Sequence, residues 1–320
     1  MSDREQFYKD FYSALEMAME PEGGHLQEVT VPKNNRIMNG IAIKFEDIAL
    51  APAVYPDQYY SEWTDGKPMN QIIREICDRI EDSAVDMDLL SEGNLNRENA
   101  ADHLQAAVVN FESNKEWLKE VPHERMADLA VYSKWILDSG SGMVSSVTVT
   151  DSVLAHLQLT KEEALKIAKD NTAEESKFYS LDDTMRDMVR DCGGDEEFIE
   201  ELIGDEHYHP LYVLSNETGI GGAAMIACPA ILKHAKEELG EDFYILPSST
   251  HEVLLLKKSD ADDMEFLKEM VSEINETHVP LEDRLSDSIY EFDGHGIRLA
   301  GPELTEEHDI SESITHHRSR

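Results

Sequence analysis

Apolar residues recur four apart at the start of the chain. Phe7, Phe11, Leu15 and Met19 predict an amphipathic helix from about Asp3 to Met19, ended by Pro21-Glu-Gly-Gly24. Three strand-like runs follow at 26–31, 36–45 and 48–55, with Lys33-Asn-Asn35 and Glu46-Asp47 as turns. They predict a small antiparallel meander. A second helix is predicted from Pro68 to about Asp82, with Met69, Ile72, Ile73, Ile76 and Ile80 as its buried stripe. The alanine-rich stretch 98–119 reads as mostly helix. Runs 128–137 and 143–150 flank Ser139-Gly-Ser-Gly142 and read as a hairpin with a glycine-rich turn. Helices then fill about 151–204, with breaks at Asn171-Thr-Ala173 and Cys192-Gly-Gly-Asp195. Thr160 and Glu163 stand at capping-box spacing.

Residues 211–256 are the densest in signals. A strand over Leu211–Ser215, a turn at Asn216–Gly219 and a strand over Gly222–Ala227 lead into a helix. Pro229 is in its first turn and Gly240 lies just past its end. The runs 243–246 and 253–256 are apolar without alternation, which predicts strands buried on both faces. Ser259 is read as the cap of a last helix carrying Asp260, Asp262 and Asp263 in its first turn. After a short strand near 288–292, the tail from 296 loses periodicity and reads as disordered. The fold class is α+β: an N-terminal helix and small antiparallel meander, a helical middle with a hairpin, and a C-terminal β-β-α-β-β-α block. The expected regions are 1–150, 151–295 and a tail over 296–320.

Charge narrows the functional classes. The chain has 67 acidic against 28 basic residues, a formal charge of −39. Such a field disfavours direct contact with nucleic acid or an anionic membrane. It suits either a solvated acidic surface or an imitation of DNA, and the spread of charge along the whole chain favours the former. Cys77, Cys192 and Cys228 are far apart with no CxxC pair, so neither a zinc ribbon nor a redox pair is indicated. The acidic amphipathic start is unlike a signal peptide, and no apolar run reaches the length of a membrane span. A cytoplasmic protein is expected.

Candidate chemistry is concentrated in Pro247-Ser-Ser-Thr-His-Glu252. Ser248, Ser249, His251 and Glu252 supply the residue types of a nucleophile–base–orienter set. The competing reading is a tight turn whose hydroxyls satisfy backbone amides. His207 and His209 share a face if extended and form a metal-site candidate lacking a third ligand. Gly219, Gly221 and Gly222 do not open a helix as a dinucleotide loop does. No cofactor is expected.

Several segments carry a resemblance. LYVLSN (211–216), GGAAMIACPAILKHAKEELG (221–240), DFYILPSSTHEVLLL (242–256) and INETHVPLEDRLSDSIYEF (274–292) resemble the domain-of-unknown-function family numbered 5688, of gut Firmicutes and their mobile elements. Residues 48–76 and 115–135 match it too, so the likeness covers roughly 5–293. It implies a bacterial cytosolic protein and carries no assigned activity. The function expected is a non-enzymatic protein-binding or accessory factor of mobile elements. A hydrolase or transferase centred on the Pro247–Glu252 segment, and an acidic DNA mimic, are the alternatives.

Overall fold

The N-terminal elements follow their apolar stripes. In a computed structural model of the chain, described over residues 3–45, 51–82, 95–138, 145–193, 211–261 and 263–301, helix α1 (Asp3–Met19) buries Phe7, Phe11, Leu15 and Met19. Strands β1 (His25–Lys33), β2 (Arg36–Lys44) and β3 (Ala53–Val54) form a three-stranded antiparallel sheet in chain order, the predicted meander. Helix α2 (Met69–Asp82) adds Ile72, Ile73 and Ile76 to the same core, against Ile41, Ile43 and Val54.

Residues 98–119 are not the helix their composition predicts. Ala100–His103 and Phe111–Asn114 each make one helical turn, but Leu104–Asn110 between them is strand β4. Its pairing with β6 (Leu129–Asp138) decides the matter, because both faces of β4 are covered. Leu104, Ala106 and Val108 enter one core, while Ala107 and Val109 enter another with Leu118, Val121 and Tyr132. Burial on both sides erases the period of two that marks a strand, and tertiary contact overrides alanine's helical preference. Strands β5 (His123–Met126) and β7 (Ser145–Thr148) complete this sheet on β6. The glycine-rich turn at 139–142 lies outside the described residues.

Helix α3 (Lys161–Glu174) starts at the predicted capping box, with both reciprocal bonds between Thr160 and Glu163 present. It runs through Asn171–Ala173 without a break, because Asn171 bonds the carbonyls of Ala101 and Leu104 while Thr172 is buried and bonds the Ala106 amide. The all-helical expectation for 151–204 also misses strand β8 (Ser176–Ser180). This strand is an edge of a six-stranded antiparallel sheet, β13-β12-β10-β11-β9-β8. Its other members are β9 (Leu211–Asn216), β10 (Phe243–Leu246), β11 (Val253–Lys257), β12 (Tyr290–Phe292) and β13 (Ile297–Leu299).

Three further expectations in this block change. Gly222–Ala227 is a buried 3-10 helix, not a strand. Helix α4 (Pro229–Leu239) has its predicted proline start and left-handed Gly240 end, but helix α5 (Met264–His278) is capped by the Asp263 side chain, not by Ser259. Ile297–Leu299, read as part of the tail, form β13 and pair with β12. One core runs from Leu95 to Ile297 and joins the second and third sheets. The whole is α+β.

Candidate functional site

The Pro247–Glu252 segment connects two buried strands, β10 and β11, as an antiparallel hairpin. Two bonds close the turn within the segment itself. The Ser249 amide donates to the Glu252 carbonyl at 3.2 Å, and the His251 amide donates to Ser249 Oγ at 3.0 Å. Ser249 thus serves a turn amide, as serines in turns do. Ser248, Ser249, His251 and Glu252 are all half-buried.

His251 is held at both ring nitrogens. The Gly221 amide donates to Nδ1 at 3.2 Å, which fixes Nδ1 as an acceptor. The ring proton therefore sits on Nε2, which donates to Asp283 Oδ1 at 3.1 Å. Gly221 reaches this position with φ of 74°, a conformation glycine adopts without steric cost. The loop before it is tied by Asn216, whose Oδ1 accepts from the Ile220 amide and whose Nδ2 donates to the Ile220 carbonyl. Gly222 permits the closest backbone approach: Ser215 Oγ donates across it to the His251 carbonyl at 2.8 Å. A Cβ on Gly222 would lie 2.3 Å from Ser215 Oγ, 2.6 Å from the Asn216 amide nitrogen and 2.6 Å from the His251 carbonyl oxygen.

Asp283 belongs to the segment 279–290, which gathers the chain's distant parts. The Thr250 amide donates to its carbonyl at 2.7 Å. Asn34 and Asn35, at the tip of the β1–β2 hairpin, donate to the carbonyls of Leu281, Glu282 and Arg284 at 2.8–3.0 Å. Asn114, 1% exposed, accepts from the Asn35 amide and from Trp117 Nε1, and donates to both hairpin asparagines. On the other side, Asp128 accepts from Ser286 Oγ at 2.8 Å, Ser288 Oγ at 3.1 Å and Tyr290 OH at 2.7 Å. Burial and the Asp128 carboxylate push the Tyr290 hydroxyl far above its ordinary pKa, so it remains a donor.

A cleft of about 380 Å³ opens beside this segment, lined partly by Asn35, Ser113, Ser272, Glu276 and Arg284. Its guanidinium is already committed: Arg284 donates to the Val279 and Glu276 carbonyls and so closes the end of α5. Among the described residues no group of three metal-ligating side chains is assembled. His207 and His209 lie outside the described residues. Also among the described residues, no helix is long and apolar enough to cross a membrane.

The partners of His251 were not visible in the sequence around it. Gly221 is 30 residues away and Asp283 is 32. The one available signal was the density of polar residues in 280–290, between an amphipathic helix and a buried strand.

The chain matches a family of unknown function, DUF5688, over residues 4–294, and belongs to it. No curated protein and no solved structure matches it.

Proposed function

We propose that the chain works by binding a basic protein partner, with the Pro247–Glu252 segment acting as a structural latch. The observation that supports this most is the state of His251. A general base needs a ring nitrogen free to take a proton, and here Nδ1 is occupied by the Gly221 amide while Nε2 donates to Asp283. The Ser249 hydroxyl is engaged by the His251 backbone and not by its ring. With the latch spent on folding, function falls to the surface, and the net charge of −39 favours encounter with a basic partner. The mobile-element setting implied by the family resemblance supplies such partners among proteins that handle DNA.

The test compares wild type with His251→Ala on ester, amide and phosphoester substrates and in urea unfolding. The expected result is no turnover that depends on His251 and a loss of about 2 kcal/mol of stability, from two ring hydrogen bonds. Turnover that disappears in a folded His251→Ala protein would overturn the reading.

A further inference from the structure

Strand β1 is the edge of its sheet among the described residues, pairing only with β2. Which of its backbone groups face outward follows from the register. Lys33 pairs with Arg36 across the two-residue turn, so this closing pair exchanges hydrogen bonds, and bonded and non-bonded pairs alternate from there. Pro32, Thr30, Glu28 and Leu26 then occupy non-bonded pairs and direct their backbone groups away from β2. Two contacts agree with this count. The Ile43 amide, opposite Leu26, donates to Pro52 on the β3 side at 2.9 Å. The Leu26 carbonyl accepts from Tyr12 OH at 3.5 Å, outside the sheet. Pro32 ends the row, since it has no N–H to offer.

This edge borders an open cleft of about 610 Å³ between α1 and β1. Glu5, Tyr8, Lys9 and Tyr12 line it from the helix, and Leu26 and Glu28 from the strand. Leu26 packs on the core beneath α1, so Glu28 and Thr30, at the same parity, face the helix side. Val29 and Val31 face the other way and are half-buried.

We infer that this edge takes up an extended basic segment of a partner protein as an added strand, whose alternate side chains meet Glu28 in the cleft and Val29 and Val31 on the opposite face. The inference rests on the basic-partner reading above and names its site. A second copy of the chain is the wrong occupant. Self-pairing centred on Glu28 sets two carboxylates directly opposite, and each copy brings a charge of −39. A strand carrying lysine or arginine opposite Glu28 reverses that term, and main-chain bonds to Glu28 and Thr30 supply the rest.

The probe is an alternating lysine–valine heptapeptide with blocked ends, titrated into the full chain. Saturation is expected to slow amide exchange at Glu28 and Thr30 at least about tenfold. Thr30→Pro removes an outward N–H that β2 does not use. It should weaken the peptide by about tenfold or more with an unchanged melting curve, while Thr30→Val binds as wild type does. Glu28→Lys, which leaves the backbone intact, should weaken it as well. Binding undiminished in both Thr30→Pro and Glu28→Lys would overturn the edge site and leave the basic-partner reading standing. No binding of the peptide at low salt would overturn the edge site and count against that reading too.

Discussion

Gly222→Ala is the sharpest structural test, because the added methyl has nowhere to go. Its Cβ would sit 2.3–2.6 Å from three atoms, and two of these, the Asn216 nitrogen and the His251 oxygen, are backbone. Rotating a side chain therefore cannot relieve the clash: β9 and the 250–252 turn must separate. Overpacking of this kind costs about 1–3 kcal/mol. Separation also breaks the bond from Ser215 Oγ to the His251 carbonyl, and Ser215 is only 3% exposed. A hydroxyl left unsatisfied in that position costs about 1–3 kcal/mol more. Loss of unfolded-state freedom on Gly→Ala returns about 0.4–1 kcal/mol. The net expectation is a destabilisation of about 3 kcal/mol, measured by urea unfolding with circular dichroism and tryptophan fluorescence. Gly296→Ala is the control, since a Cβ there meets nothing within 4 Å, and it should stay within about 0.5 kcal/mol of wild type. If Gly222→Ala also stays within that margin, the close approach does not hold the latch.

Asp128→Ala strands three hydroxyl donors, one on the fully buried Tyr290. It should cost about 3–5 kcal/mol, with Tyr290→Phe costing about 1–2 on its own; additive effects in the double variant would argue against a shared network. Burial raises the Cys228 thiol pKa to about 11, whereas Cys192 is exposed. At pH 8, about one part in a thousand of Cys228 is thiolate, so a disulfide reagent should label Cys192 at least about a hundredfold faster; comparable rates would contradict its burial. In the free chain, the Gln27 and Val29 amides should exchange slowly and those of Glu28 and Thr30 quickly, and the reverse pattern would show that the β1 register has been miscounted.

What the sequence disclosed depended on whether one face of an element meets solvent. Helix α1 leaves its polar side wet, so Phe7, Phe11, Leu15 and Met19 announced it, and local caps such as Thr160–Glu163 and Pro229–Gly240 were equally plain. Strand β4 is covered on both sides and so had no period to read, and the alanines of QAAVV pointed to helix. Gly222–Ala227 failed differently: its apolar run suits any buried conformation, and the contact that settles it, Gly222 against His251, spans 29 residues of chain. The candidate site was half legible. His251 was singled out, but Asp283 and Gly221 come to it only through the fold. The asparagine cluster was missed because Asn34-Asn35 reads locally as a turn, and nothing beside it names Asn114 or the 281–284 carbonyls.

The most direct measurement is affinity capture of the tagged chain from a cell lysate, eluted across a salt gradient and identified by mass spectrometry. The account predicts a stoichiometric basic protein that leaves as salt rises, because screening weakens the attraction of a −39 surface. Recovery of the chain alone, or with a partner of acidic charge, would contradict it.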